Sequence, residues 1–402
     1  MKRKFNFLVL CMLMLAAPLS ACAYAYEPET SQGEMQETSV TRQLSLETRQ
    51  VSETTLGQIP HGELAMAHII HMDTYLYRRP SFTYRELETA MWIRETLLDI
   101  GFLEGAIEIQ EFSLADVAGR LGGPYAQFFD RAVSRGMFAD RAPRRYSQNV
   151  ILTIPGQSEQ TIIIGAHYDT DGSGWGHGAS DNASGVALLL ESAQRMREVD
   201  NYYTLVYVFF GAEELATGLL GSYHYFNTLS QSQRDNILFM FNADVLFEGP
   251  YLIYVAGVLE NGVRVDNALT DRWSALAAEV GRQHGLEFIS YPRGMGFFTS
   301  DHIIFFEGGI PVLFFAGLIP TDEGSFWGRF LDTPYDNLAH IEATSPGLAQ
   351  RNMQAFSILL ETILFEGVDE RADFPYLLAK KERMLQEQMA VILERFERMS
   401  KR

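Results

Sequence analysis

Short runs of apolar residues recur along the chain, and stretches with a helical period separate them. The runs are rich in β-branched and aromatic residues, which is typical of buried strands in a parallel sheet. They occupy residues 149–154, 161–166, 204–210, 237–242, 251–256 and 311–316. The helical period appears over 63–100, which stops at Gly101, and over 183–197, 271–285 and 348–364. This alternation predicts an α/β fold.

The first residues form a targeting segment. A basic start precedes an apolar run over 5–17 that is too short to span a bilayer comfortably. Residues 19–22, Leu-Ser-Ala-Cys, resemble the bacterial lipobox, in which the cysteine is lipid-modified and the signal is cut before it. We therefore expect a signal peptide over 1–22 and a lipid anchor to the membrane through Cys22. Ordinary signal cleavage shortly after Cys22 is the alternative. Both place the protein outside the cytoplasm, as a bacterial cell-envelope lipoprotein or as a secreted or periplasmic protein.

Three further segments are expected. Residues 23–60 are polar with few aliphatic side chains, as in a mobile tether. A globular domain follows over 61–367, and its irregular stretch 113–147 is expected to be a surface excursion. The tail over 368–402 has an amphipathic helical pattern, which is more typical of a helix packed on its own domain than of a coiled coil.

Composition narrows the classes of partner. The chain has 402 residues, of which 47% are hydrophobic and 21% charged, so it can bury a large core. Its formal net charge of −19 disfavours nucleic acid and anionic membranes, because binding phosphate requires a basic face. The only cysteines are Cys11 and Cys22, so the mature chain forms no internal disulfide. The oligomeric state is left open.

Side chains that bind metals or move protons follow three of the apolar runs: His167, Asp181, Glu213, Glu214 and Asp244. Parallel sheets place their chemistry outside the carboxyl ends of the strands, so we expect these side chains to converge. Imidazole and carboxylates are the ligands of a catalytic metal with an open position. Each residue alone has an ordinary explanation as a helix cap or a solvated acid. Their coincidence at three strand ends predicts a metal site in a hydrolase.

Two spacings within this set add roles. Glu213 and Glu214 are adjacent and leave a strand in different directions, so one can bind metal while the other acts as a base. Asp169 follows His167 by two residues, a spacing at which a carboxylate can hold the other imidazole N–H and fix the tautomer.

The chain resembles the co-catalytic zinc exopeptidases, which include bacterial leucyl aminopeptidases, glutamate carboxypeptidase and the glutaminyl cyclases. The resemblance spans about residues 60 to 367, in the family's order, and its motifs are Ala166-His-Tyr-Asp-Thr170, Gly178-Ala-Ser-Asp-Asn-Ala-Ser-Gly185, Phe210-Gly-Ala-Glu-Glu214, Asn242-Ala-Asp-Val245 and Ser300-Asp-His302. It implies a three-layer α/β/α fold with a mixed, mostly parallel central sheet, and a metallopeptidase domain over 61–367.

The resemblance also implies a site. One zinc is held by His167 and Asp244, the other by Glu214, and Asp181 bridges the two. Glu213 is the general base and acid, and the peptide bond after Asp181 is cis. Residues outside the ligand set support it: Asp169, Asp301 and His302.

One position departs from the family. The last ligand of the family is a histidine in a Tyr-His-Thr-Pro motif, but this chain has Leu331 and Asp332 in place of the tyrosine and the histidine. A carboxylate still binds metal, with more tolerance for harder ions such as cobalt or manganese. A single-metal or weakened enzyme is the alternative, and His302 is a further candidate for the missing ligand.

The expected activity is hydrolysis of N-terminal peptide bonds of peptide substrates through metal-activated water, with Glu213 as the base. Apolar and aromatic residues over 291–298, with Phe326 and Trp327, suggest a pocket for uncharged side chains. One alternative is a single-zinc enzyme similar to glutaminyl cyclase. Another is a surface lipoprotein that keeps the fold without catalysis; it is disfavoured because a mere binder does not need Glu213.

Overall fold

The computed structural model describes residues 59–120, 144–171, 176–214, 218–260, 263–265, 268–290, 299–321 and 326–366. Several expectations fall outside these residues: the signal peptide, the tether up to residue 58, the pocket segment 291–298 and the tail 368–402. Most of the predicted surface excursion, 121–143, also lies outside them.

The described strands form one mixed sheet. They are β1 (Ile107–Ser113), β2 (Tyr146–Ile154), β3 (Ser158–His167), β4 (Tyr203–Phe210), β5 (Ile237–Ala243), β6 (Tyr251–Glu260), β7 (Val263–Val265), β8 (Phe288–Ser290), β9 (Val312–Pro320) and β10 (Phe326–Trp327). Their order is β1-β2-β4-β3-β5-β9-β6-β7, with β8 beside β6 and β10 beside β9. The four central strands, β4-β3-β5-β9, are parallel to one another. Antiparallel strands flank them on both sides.

Helices cover both faces of the sheet. They are α1 (Glu63–Tyr75), α2 (Tyr84–Ile100), α3 (Ser184–Met196), α4 (Leu220–Thr228), α5 (Gln231–Asp235), α6 (Ala268–His284), α7 (His302–Glu307), α8 (Leu338–Thr344) and α9 (Leu348–Glu366). One core cluster packs α1, α2, α3, α6 and α9 on one face, and another packs α4 and α7 on the opposite face. Successive residues of β3 alternate between these clusters, as side chains of a strand do. The predicted three-layer arrangement with a mixed sheet is confirmed.

The first helical stretch differs from its prediction. The helical period over 63–100 predicted continuous helix, but the structure has α1 and α2 with an irregular connection between them. Pro80 interrupts the helix there, Phe82 adopts a left-handed φ of 57°, and the Thr83 side chain caps α2 by accepting from the N–H of Glu86. Gly101 ends α2 in the left-handed region, with φ of 108°.

The register of β3, β4 and β5 places the ends of these strands at the same edge of the sheet. In the parallel pairing of β3 with β4, His167 lies opposite Phe210, and Gly165 of the same strand lies opposite Asn242 of β5. The residues that follow these three strands therefore emerge side by side. Among the described residues, no helix is both long and apolar enough to cross a membrane.

Candidate metal centre

His167, at the end of β3, lies between two carboxylates. Its Nε2 atom is 3.1 Å from Oδ1 of Asp244 and 3.2 Å from Oδ1 of Asp181. All three side chains are buried, and their ligand atoms lie within 4.8 Å of one another. This group can hold one metal ion with one nitrogen and two oxygen ligands.

A second group shares Asp181 with the first. Asp181, Glu214 and Asp332 also place ligand oxygens within 4.8 Å of one another. Asp181 is buried, Glu214 is half-buried and Asp332 is exposed, so this group opens toward solvent. Asp332 has a left-handed φ of 57°, a backbone region in which aspartate is tolerated better than most residues. The second group offers only carboxylate oxygens.

Glu213 lies against both groups. His167, Glu213 and Glu214 form a third set whose ligand atoms lie within 4.8 Å of one another. The structure thus brings together all the residues that the sequence singled out as ligands or as the base. The Asp181–Asn182 peptide bond is cis, as the resemblance implied.

Asp169 contacts the backbone more than it contacts His167. The Nδ1 atom of His167 is 3.3 Å from the backbone carbonyl oxygen of Asp169 and 3.6 Å from the nearest carboxylate oxygen. The two carboxylate oxygens instead accept from the N–H of Glu213 at 3.0 Å and the N–H of Glu214 at 3.2 Å. The Ser81 hydroxyl donates to the same carboxylate at 2.6 Å. Asp169 therefore holds the two glutamates by their backbone.

In the turn after β4, four successive backbone N–H groups donate to side-chain oxygens from other parts of the chain. The N–H of Gly211 donates to Oδ1 of Asn149 at 3.1 Å, and the N–H of Ala212 donates to Oε1 of Glu86 at 3.1 Å. The next two amides donate to Asp169. Asn149 and Glu86 were not singled out from the sequence. A glutamate three residues after Thr83 at a helix start has the pattern of an ordinary capping box, so nothing local indicated its distant partner.

Asp336 performs the corresponding task for Asp181. Its carboxylate accepts from the N–H of Ser180 at 2.6 Å and the N–H of Asp181 at 2.9 Å. Nearby, the buried Arg79 guanidinium donates to the backbone carbonyls of Tyr168 at 2.6 Å and Gly178 at 2.8 Å. Arg79 supplies a fixed positive charge beside an otherwise acidic site, and it too was missed from the sequence.

Asp301 and His302 are fully buried but lie outside the metal-capable groups of the described residues. The charge of Asp301 is one of the influences that raise the pKa of Glu213. Burial lowers the pKa of His302 to about 3, and its ring lies 4.6 Å from that of Phe314 between centroids. Asp332, and not His302, is the residue that the fold brings to the second group.

The electrostatics of the site suit a cation. Burial, together with neighbouring carboxylates, raises the pKa of Glu213 and of Glu214 well above the usual range. Asp332 is exposed, but the protein around it still removes part of its hydration, and this desolvation together with the charge of Asp181 raises its pKa to about 7. Burial alone would lower the pKa of His167, but Asp244 and Glu213 outweigh it and raise that pKa. So many desolvated acids repel one another, and a divalent ion offsets this repulsion directly. The donor sets therefore fit a metal ion.

Comparisons with known proteins identify the family of this chain. The Peptidase family M28 profile matches residues 149–357, just over half of the chain. The alkaline phosphatase isozyme conversion protein of Escherichia coli is 26% identical over 72% of this chain and 86% of its own length. Aminopeptidase YwaD of Bacillus subtilis is 30% identical over 52% of this chain, and the aligned part covers 41% of the length of that relative.

Solved structures share the fold at low identity. BSAP, a zinc aminopeptidase from Bacillus subtilis, superimposes with a TM-score of 0.57 at 17% identity, covering 78% of this chain and 97% of that one. A glutaminyl cyclase from an Acidobacteriales bacterium superimposes with a TM-score of 0.51 at 18% identity, covering 75% and 94%. The fold and the clustered ligands define a metal-dependent hydrolase of the α/β class. The chain belongs to Peptidase family M28.

Stability of the metal-free protein is predicted to fall as pH rises from about 5 to about 9. Burial raises the pKa of Asp301 and of Asp336 to about 7, and that of Glu248 to about 9. In this window the unfolded carboxyls are already ionised, whereas the folded ones still release protons, so the free energy of unfolding decreases. The raised pKa of His167 acts in the same direction.

The measurement is the melting temperature across this pH range, with and without zinc. Zinc binds the ionised carboxylates of the folded state, so its stabilisation should be greatest at the alkaline end. A metal-free melting temperature that rises with pH would contradict the assignment of these buried acids.

Proposed function

We propose that this protein is an exported, metal-dependent aminopeptidase that hydrolyses N-terminal peptide bonds. The observation that carries the proposal is the position of Glu213, buried and in reach of both His167 and Glu214. A general base must lie beside the ligands without being needed as one, and Glu213 fulfils this condition because Asp181, Glu214 and Asp332 complete the second group without it.

The ligand groups support two metal positions. His167 and Asp244 would hold the first ion, Glu214 and Asp332 would hold the second, and Asp181 would contribute to both. The family and the related zinc aminopeptidases support zinc as the metal. When bound, zinc lowers the pKa of a coordinated water and polarises the carbonyl group under attack.

The protein groups move the proton and keep the base in place. Glu213 takes a proton from the attacking water and returns it to the leaving amine. In the metal-free site burial raises the pKa of Glu213, and desolvation of this kind favours the protonated form that returns the proton to the amine. Asp169 fixes the backbone of Glu213, and Asp336 fixes that of Asp181, so neither side chain has to be reoriented during the reaction.

The glutaminyl cyclase alternative is less favoured by this geometry. The carboxylates Asp181, Glu214 and Asp332 could hold a single ion as such an enzyme requires. A single-zinc cyclase would not need the additional group of His167, Asp181 and Asp244, whereas a two-metal peptidase would bind its other ion there. A binding protein without activity has no use for the buried Glu213 either.

Substitution of the paired glutamates separates the base from the ligand. Glu213→Gln should keep the metal content and lower turnover of an aminoacyl p-nitroanilide by roughly 10²–10⁴-fold, the range for a lost general base. Glu214→Gln should lose metal as well as activity. Exposed Glu88→Gln is the control and should change neither. Metal analysis and steady-state kinetics measure both effects, and equal metal loss in the two variants would reverse the assignment. An N-terminal glutaminyl peptide in the same assays separates cleavage from cyclisation.

Asp332 is the position at which the metal stoichiometry can be tested. A carboxylate oxygen stands where the family has an imidazole nitrogen, a donor that suits zinc better, so the second zinc ion is expected to be lost on dialysis more readily than the first. Asp332→Ala should leave about one metal per chain, and Asp332→His should retain two zinc ions. Asp235→His, at an exposed acid of α5, is the matched control. Two tightly held ions in Asp332→Ala would show that Asp332 is not a ligand.

Cys22 is the residue through which we infer anchoring to the cell envelope. Cys22→Ala should either block processing or release the protein from the membrane fraction, because it removes the thiol that carries the lipid. Cys11→Ala, within the apolar run of the same segment, should leave the fractionation unchanged. Immunoblotting of membrane and soluble fractions distinguishes the outcomes. A Cys22→Ala protein of normal mature size in the membrane would exclude the anchor.

A further inference from the structure

We propose that Glu86 is a positioning residue for the general base, acting through the turn that carries Glu213. The inference rests on the proposed role of Glu213 and extends it to a residue of α2 that lies outside the family profile over 149–357. Glu86 is in none of the metal-capable groups of the described residues, so its effect on catalysis is indirect, and the contact that leads toward Glu213 is its hydrogen bond to the backbone of the turn.

Three donors converge on the Glu86 carboxylate, which is fully buried. Oε1 accepts from the Ser147 hydroxyl at 2.7 Å and from the N–H of Ala212 at 3.1 Å. Oε2 accepts from the N–H of Phe82 at 2.7 Å. Both oxygens are therefore used as acceptors of backbone N–H groups. A glutamine could accept at only one of them, because its amide nitrogen donates.

The bonded amide belongs to the residue that directly precedes the base. Ala212 has a left-handed φ of 53°, which an alanine adopts only when its surroundings hold it there. Its carbonyl accepts from the N–H of Leu220 at 3.0 Å, so Glu86 and α4 hold the two sides of this residue. If Ala212 relaxes, the Glu213 side chain turns away from His167.

The chain contains a matched carboxylate elsewhere. Glu191 is also fully buried, pairs with Arg195 of its own helix at 2.9 Å, and accepts two backbone N–H groups and one serine hydroxyl: Gly62 at 2.9 Å, Ala65 at 2.8 Å and Ser357 at 2.7 Å. These donors belong to the start of α1 and to α9, not to the turn before Glu213. Substituting Glu191 therefore imposes a similar structural loss without the proposed consequence for catalysis.

The experiment compares Glu86→Gln with Glu191→Gln in the full-length enzyme. Both should lower the melting temperature. Only Glu86→Gln should lower kcat, by roughly 10–100-fold, the scale expected when a reacting group is misplaced by a fraction of a bond length to about 1 Å. KM and metal content should stay unchanged, because substrate binding and the ligands are not altered. Ser147→Ala leaves both backbone N–H bonds to Glu86 intact and should keep kcat close to that of the natural protein.

The outcomes separate this inference from the proposed function. Glu86 has only a structural role if Glu86→Gln and Glu191→Gln show the same kcat at an equal loss of melting temperature. If Glu86→Gln does not fold, Glu86→Asp serves instead: it keeps both acceptors but withdraws them by one methylene, and an unchanged kcat overturns the inference. Glu213→Gln is measured in the same series. Full activity in that variant refutes the proposed base, whereas its inactivity beside a normal Glu86→Gln refutes only the role of Glu86.

Discussion

Buried carboxylates that accept backbone N–H groups are the interaction on which the site depends. Asp169, Glu86 and Asp336 are each almost completely buried and each accept two backbone amides. A hydrogen bond to an ionised carboxylate contributes about 1.5–3 kcal/mol, and a buried carboxyl group without hydrogen-bond partners is destabilising in either protonation state. These acids are therefore tolerable only where strand ends and turns present several N–H groups at once. The same contacts fix the direction of the side chains that follow.

The core of the fold and the ligand set could be predicted because their signals are local. The central strands β3, β4 and β5 are continuous apolar runs, and the residues that follow them must meet at one edge of a parallel sheet. The edge strand β1 was missed because it is mostly half-buried and does not form a continuous apolar run. The break between α1 and α2 was missed because the helical period continues on both sides of it.

The supporting residues could not be predicted because their partners are distant. Glu86 and Ala212 are separated by 126 positions, and a Thr-x-x-Glu pattern at a helix start already has a local explanation. Arg79 is surrounded in sequence by ordinary loop residues, and only the folded structure shows that its guanidinium interacts electrostatically with four acids. Asp332 was found because a motif located it, although its left-handed backbone was not apparent from the motif.

The long sequence separations in the turn after β4 have a consequence for how the enzyme is assembled. Its amides are held by residues 62, 126 and 44 positions away, so no short segment of the chain contains the arrangement. Contacts of this separation require the intervening loops to close, which costs conformational entropy. We therefore expect tight metal binding to be a property of the folded domain rather than of the unfolded chain. On this basis metal ions bind after the chain has folded, and a chelator removes them from the folded enzyme.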